Sequence, residues 1–321
     1  MFSLQLSRLA KNDRLCKALT GMSWKEILSL EISFSWNLQE YTAKQKKAKE
    51  VKLGRKMQNA GGRPAFLKND LEKLVFVLIY LKTYPTFDVL SFIIGLSKSN
   101  CHPWVIKLLK VLEQTLGRDL VLPERKITTA EEFFKSFPEA GELFIDATER
   151  RVQRPRDQKR QNKLYSKKKK THTRKNVIVS GSGKTKSKRE ILVVTKTKSG
   201  RRHDKRLADK EQLLEHLPDE LDKYVDSGFQ GVQKQTNNLY KPKKKPPKSK
   251  NNHNSPNSYL TTEEKEMNKL IASIRVLSEN AICGIKRFNC LVATYRNKIT
   301  NLDDQFILLS AGLWNYHLKH S

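Results

Sequence analysis

Three acids stand where their types and spacing permit chemistry. Asp146 interrupts the apolar run of "ELFIDATERRVQRP". Asp226 closes a short apolar step in "DKYVDSGFQG", where Ser227 and Gly228 break the strand. Glu279 lies in "SIRVLSENAICGIKRF", a helical stretch that places Arg275 and Lys286 on its side and gathers Leu270, Ile274, Ala281, Ile285 and Phe288 toward a core. A carboxylate taken out of water costs several kcal/mol unless something pairs with it, so Asp146 either caps a strand end or holds a cation. Singly, Asp226 also reads as a turn former and Glu279 as a surface partner of Arg275 and Lys286. Together, two strand-borne aspartates and one helix-borne glutamate supply what a two-metal phosphoryl-transfer site needs. Two Mg²⁺ ions about 3.5–4 Å apart take hard carboxylate oxygens, one activating the attacking oxygen and the other stabilising the leaving one, and Mn²⁺ can substitute.

The elements that must position these acids are α/β in pattern. Strands are expected at about 142–152, 174–181, 189–197 and 222–226, with a helix from about Lys205 to His216 before the last. Residues 120–140 read as a polar connection, and Glu149 as a solvated strand edge. "NLYKPKKKPPKSKNNHNSPNSYL", residues 238–260, reads as a mobile insertion because it is rich in Pro, Lys and Asn. A long helix follows from about Thr262, capped by Thr261 or Thr262, to about Phe288.

The amino-terminal third reads as helices joined by a basic segment. Residues 1–35 hold two short helical patterns, the second capped by Thr20 or Ser23 ahead of Glu26. Residues 42–63 are basic, end in Gly61 and Gly62, and read as a linker or arm. From Asn69, apolar residues recur at helical spacing to Leu81; a helix from about Thr86 to Ile94, a turn at Gly95 and a Ser-capped helix from about Ser97 then form a helix-turn-helix. Its polar leading residues Lys98, Ser99, Asn100 and His102 are candidates to face bases or phosphates. Pro103 removes a backbone bond, which argues for a start later than Ser97.

With 63 Lys+Arg against 33 Asp+Glu, the formal net charge is +30, and the cations cluster between Arg150 and Lys205 and at Lys241–Lys250. Clustered charge of this size points to a polyanionic partner, double-stranded DNA first. The phosphate contacts are expected from the first tract, including Arg150, Arg151, Arg154, Lys168, Lys169 and Lys170. An RNA-binding reading of the lysine tracts lacks a stacking-aromatic motif. Cys16, Cys101, Cys283 and Cys290 match no zinc spacing and read as free intracellular thiols. The apolar run "LVFVLIYL" is too short to span a membrane. "GSGKTKS" lacks the first glycine of a phosphate loop, since Ile178 stands there, and "THT" offers a histidine without a second ligand.

The stretches "FIDATERRVQRPRDQKRQNKLYSKKKKTHTRKNVIVS", "GRRHDKRLAD", "VDSGFQG" and "SIRVLSENAICGIKRF" together resemble the DDE transposases of the insertion-sequence-5 superfamily, related to the Harbinger transposases. The resemblance covers roughly residues 65–318. It implies an α/β RNase H-like catalytic core, a mixed sheet with flanking helices, preceded by an all-α helix-turn-helix DNA-binding region. It implies boundaries at 1–63 for an N-terminal segment and linker, 64–120 for the helix-turn-helix and 138–318 for the catalytic domain. Asp146, Asp226 and Glu279 fall on the family's metal-binding triad, His203 and Asp204 on its "HD" step, and Lys286, with Arg275 and Arg287 near it, on the helix beside the DNA backbone. Lys167 stands where a glycine is common. The implied activity is Mg²⁺-dependent cleavage at transposon ends followed by strand transfer, by a homodimer or higher oligomer on DNA, in the cytoplasm at the nucleoid. The rivals are a transposase-derived DNA-binding protein that no longer cuts and an RNase H-like endonuclease without strand transfer.

Overall fold

The computed structural model describes residues 2–56, 65–183, 189–226, 228, 229, 232, 236–243 and 260–320. The chain divides into two compact units. One comprises Met1–Leu122, Lys286–Ala293 and Lys319–Ser321; the other comprises Pro123–Ile285 and Thr294–Leu318.

The first unit is built from α1 (Phe2–Lys11), α2 (Asp13–Thr20), α3 (Trp24–Leu53), α4 (Asp70–Thr83), α5 (Phe87–Ile94) and α6 (Lys98–Arg118). Ser23, not Thr20, caps α3. Its side chain accepts from the Glu26 N–H while Glu26 accepts from the Ser23 N–H, a reciprocal pair worth about 1 kcal/mol. Thr20 is buried and donates to the Cys16 carbonyl. The basic stretch from residue 42 continues α3 as far as Leu53 rather than forming a linker, because Ala, Lys, Glu and Gln are strong helix formers. Residues 57–64 of that expected linker lie outside the described residues.

α4 is buried from Leu74 to Leu81, and α5 and α6 follow it as the expected helix-turn-helix. Gly95 closes α5 in the left-handed region at φ +79°, its N–H bonded to the Ser91 carbonyl. α6 begins at Lys98 and runs through Pro103, so its start does not shift later. A Cβ added at Gly95 would meet only Phe66, at 3.5 Å, so the cost of a side chain there is conformational. Gly95→Ala should lower stability by about 1–2 kcal/mol in chemical denaturation, and an unchanged midpoint would count against this role for the turn.

The second unit opens with α7 (Ala130–Ser136), inside the stretch expected to be a mere connection. Its Phe133, with Phe137, is buried in the core, each such ring contributing about 1.5–3 kcal/mol. β1 (Glu142–Arg151) then pairs antiparallel with β3 (Thr171–Gly181). Between them come α8 (Gln158–Leu164) and β2 (Tyr165–Ser166). β4 (Glu190–Val194) and β5 (Lys198–Ser199) pair with β3 on its other side. After α9 (Asp204–Lys210), β6 (Asp222–Val225) returns parallel to β1, and β7 (Leu239–Tyr240) lies parallel to β6. Residues 239 and 240 are therefore strand, not insertion, and residues 244–259 lie outside the described residues, as do Lys184, Thr185, Lys186 and Ser187 of "GSGKTKS". α9 stops at Lys210, short of the expected His216, with Gln212 at φ +49°.

α10 (Thr262–Lys286), α11 (Asn289–Val292) and α12 (Leu302–His320) complete the chain. On α10 the buried residues include Ile271, Ala281, Ile282 and Ile285, whereas Leu270, expected inward, is exposed. A mixed sheet with three antiparallel strands followed by two parallel ones, flanked by helices, is an RNase H-like arrangement. On one face Leu143, Ile145, Val177, Val179 and Val225 join α7 and α9 in a single core. The other face carries Phe144 stacked on Tyr224 and Tyr224 on Tyr240.

Candidate active site

The parallel register of β1 and β6 sets Leu143 beside Lys223, Phe144 beside Tyr224 and Ile145 beside Val225. One step further come Asp146, still in β1, and Asp226, just past the end of β6, near enough for the charge of Asp226 to act on Asp146. Asp146 alternates with Ile145 and so leaves the sheet on the side of Phe144. β6 ends at Val225 while β1 runs on to Arg151, so the acids stand where the two strands part. At the opposite, N-terminal end of β6, fully buried Lys223 donates its Nζ to the carbonyls of Leu221 at 2.9 Å and Asn237 at 3.1 Å.

Asp146 is the fifth residue of a ten-residue strand, so it does not cap a strand end. Its Oδ1 accepts from the Ala147 N–H at 2.7 Å. Burial pushes its carboxyl above the ordinary aspartate range, and the neighbouring charges of Asp226 and Asp204 add to the rise, against the Ala147 hydrogen bond and Arg275. Arg275 on α10 lies with Nη1 3.4 Å from Asp226 Oδ1. Two neighbouring hard carboxylates, one of them costly to ionise and both beside a guanidinium, form a donor set that suits a divalent cation.

Glu279 follows Arg275 by four residues and so lies one turn further along the same flank of α10. It is exposed, and among the described residues no three His, Cys, Asp or Glu side chains converge as a metal cage. The structure thus brings Asp146, Asp226 and Arg275 together and leaves Glu279 apart from them. Because ionised Asp146 is a liability without a cation, Asp146→Asn should raise the melting temperature of metal-free protein at neutral pH. A lowered melting temperature would contradict the electrostatic reading.

Glu149 is not a solvated strand edge. Its side chain is 6% exposed and its Oε1 sits 2.9 Å from Lys175 Nζ, the residue directly opposite it on β3. Lys175 reaches Asp204 Oδ1 at 2.8 Å as well as the Arg202 carbonyl. Burial opposes ionisation of both Glu149 and Lys175. The Lys175, Ser166 and Thr173 hydrogen bonds nevertheless hold Glu149 below the ordinary glutamate range, and Asp204 and Glu149 hold Lys175 above the ordinary lysine range. Asp204 in turn approaches Gly228, where an added Cβ would lie 3.2 Å from Asp204 Oδ2 and 3.6 Å from Asp226 Oδ2. The buried pair braces the turn that follows Asp226. No local sequence signal marks this pair, because only the register of β1 on β3 sets the two residues opposite each other.

Arg150 is a second correction. Its guanidinium is buried and donates to the Asp303 carbonyl, to Asn176 Oδ1 at 2.7 Å and to Thr197 Oγ1 at 2.9 Å, so it secures β1 and β3 rather than facing phosphate. Arg151, Arg154 and Lys168–Lys170 are exposed, with Arg154 Nε donating to Gln161 at 2.9 Å. In the turn after β2 the left-handed residue is Lys170, at φ +50°, and not Lys167. His203 precedes α9 and is exposed. Lys286 is exposed, whereas Arg287 is partly buried and donates to the Gly21 carbonyl at 3.3 Å.

In the first unit Lys98, Ser99, Asn100 and His102 all lie exposed at the start of α6. Lys98 pairs with Asp88 at 2.7 Å, and His102 sets its ring edge against Phe87. None of the four cysteines forms a disulfide; Cys16, Cys101 and Cys290 are buried and Cys283 is exposed. Among the described residues no helix is long and apolar enough to cross a membrane.

An RNase H-like sheet preceded by a helix-turn-helix defines the class, and the chain belongs to the DDE superfamily endonucleases. The model of that family matches residues 145–315, more than half of the 321-residue chain. The model described as the helix-turn-helix of DDE superfamily endonucleases matches residues 71–118, which span α4 to α6. The chain is 28% identical over 264 residues, 82% of its own length and 86% of the relative's, to a protein of Microchaete diplosiphon named a probable transposase for insertion sequence element IS702. No solved structure matches it significantly.

Proposed function

We propose that this protein is a DNA transposase that binds the terminal inverted repeats of an insertion sequence, cleaves DNA at the element's ends and joins them to a target. The observation that supports it most is that Asp146 and Asp226 each follow the last paired residues, Ile145 and Val225, where β1 and β6 part, with Arg275 beside Asp226. Asp146, Asp226 and Glu279 would hold two divalent cations, Mg²⁺ with Mn²⁺ as a substitute, which would supply Lewis acidity to the attacking and leaving oxygens. Glu279 joins the two aspartates from its place on α10 when DNA is bound. Arg275, next to Asp226, exchanges its carboxylate partner for a phosphate oxygen, which places the backbone against the acids. Asp204, His203 and the buried Glu149–Lys175 pair keep the Gly228 turn in place. Lys98, Ser99, Asn100 and His102 read or grip the duplex from α6, and Arg151, Arg154, Lys168, Lys169, Lys170 and Lys286 hold phosphates. The working unit is a dimer or higher oligomer on DNA.

The test is a reaction of full-length protein with labelled duplex taken from the DNA bracketing its reading frame, plus an unlabelled plasmid. A labelled strand joined to plasmid in Mg²⁺ supports transposition. Cleavage without joining supports an endonuclease, and binding without cleavage supports a DNA-binding derivative.

A further inference from the structure

The cationic tract around α8 has a shape that its composition does not disclose. α8 projects from the tip of the β1–β3 hairpin and buries none of its residues. A hollow of about 840 Å³ lies along the flank that carries Lys159, Asn162 and Lys163, and is walled by Arg201, Arg202 and Arg206. A second, of about 720 Å³, lies along the flank of Asp157, Arg160 and Leu164, walled by Arg154, Arg156, Arg296 and Lys298. A smaller one, of about 310 Å³, passes beneath the helix and shares Arg160 and Leu164 with the second hollow and Lys163 and Arg202 with the first. At 100° per residue, the outward arc of α8 carries Gln158 and Gln161, with Asn162 at its border beside the first hollow. Gln161 is engaged by Arg154 Nε and the Arg156 carbonyl, which leaves the amides of Gln158 and Asn162, meeting at 3.4 Å, as the outward pair.

We infer that α8 is a second DNA-reading helix: it enters the major groove with Gln158 and Asn162 toward the base edges, while the hollow on each side takes one phosphate backbone. A helix with its side chains is about 10–12 Å across and the major groove is about 12 Å wide, so the fit is close. Outward amides can pair with adenine edges, and cations on both flanks of a reading helix are where the two backbones lie. Arginine in concave walls suits the bidentate geometry of phosphate better than lysine does. Among the residues lining the hollows the aromatic rings are Tyr295, 8% exposed, and the single imidazole of His203, so the run of stacking rings that single strands require is missing. The inference rests on reading the chain as a DNA-handling protein, and assigns it a contact that the helix-turn-helix does not provide.

Two variants of full-length protein test it. The first carries Lys159→Ala, Arg160→Ala and Lys163→Ala; the second carries Gln158→Ala and Asn162→Ala. Because α8 buries nothing, both should fold, as circular dichroism would verify. Binding to a fluorescein-labelled 30-base-pair duplex is followed by anisotropy as KCl is raised, and guanine N7 protection from dimethyl sulfate is read on the same duplex. The triple variant should lose about 2–3 from the slope of log affinity against log salt, since each lost phosphate contact removes about 0.9. The double variant should keep the slope but lose part of the N7 protection and shift the sequences selected from a randomised duplex pool. An unchanged slope in the triple variant, or unchanged protection and selection in the double variant, overturns the inference. Single-stranded RNA that competes as well as duplex at equal salt also overturns it. All these readouts are of binding, so a failure of the cleavage reaction would sink the transposase reading and leave this one standing.

Discussion

Asp146→Asn should abolish Mg²⁺-dependent cleavage of the element's ends, by about 10³-fold or more, while duplex binding stays within a few fold of the wild type. Losing one carboxylate ligand forfeits several kcal/mol of transition-state stabilisation, and about 1.4 kcal/mol corresponds to each factor of ten. The substitution keeps the acceptor for the Ala147 N–H and removes only charge, so a folding defect is not expected; metal-free protein should be more stable, not less. Asp226→Asn and Glu279→Gln should fail alike, the first also freeing Arg275 from its partner. Wild-type cleavage in any of the three variants would remove that residue from the site. Cleavage and binding must both be measured, because only the first should change.

The second large effect concerns stability. Lys175→Met should cost about 3–5 kcal/mol, because it strands Glu149 and Asp204 without their shared counter-ion in a buried place. The pH dependence follows in sign. Glu149 has a lowered pKa in the fold, so its contribution is present above the unfolded value and is lost as pH falls through the folded one. Lys175 has a raised pKa, so its contribution is present below the unfolded value and is lost as pH rises through the folded one. With unfolded values of about 4.3 and 10.4, the pair should stabilise across the neutral range and fail at both extremes. Denaturant midpoints of wild type and Lys175→Met across pH should converge at the acid and alkaline ends. Parallel curves would show that the ion pair does not carry the difference.

Much of this site was legible from residue types. The apolar context of Asp146 and the broken strand after Asp226 pointed to the two acids that stand close, whereas Glu279, read from its helical frame, stands apart from them, and the strand boundaries near 142 and 222 follow from runs of Leu, Ile, Val and Tyr. The glycine turn at Gly95 marked the helix-turn-helix for the same local reason. What was not legible depended on pairing between distant segments. Nothing near Glu149 reveals that β3 sets Lys175 opposite it, and nothing near Arg150 reveals that Asp303, Asn176 and Thr197 enclose it. An arginine in a basic tract looks like a phosphate ligand until the alternation of β1 turns it inward. The extension of α3 through residues 42–53 was masked by lysines, which mark both linkers and solvated helices. The hollows beside α8 join residues from 152 to 301, a span no local pattern covers.

The central claim is that Asp146 and Asp226 ligate the catalytic metal ions, and changing the ligand chemistry tests it most directly. Asp226→Cys replaces a hard oxygen by a softer thiolate, which disfavours Mg²⁺ far more than Mn²⁺. Cleavage of end-bearing duplex by this variant should be lost in Mg²⁺ and return in Mn²⁺, with duplex binding unchanged in both. Cleavage in Mg²⁺ at the wild-type rate would contradict metal ligation by Asp226.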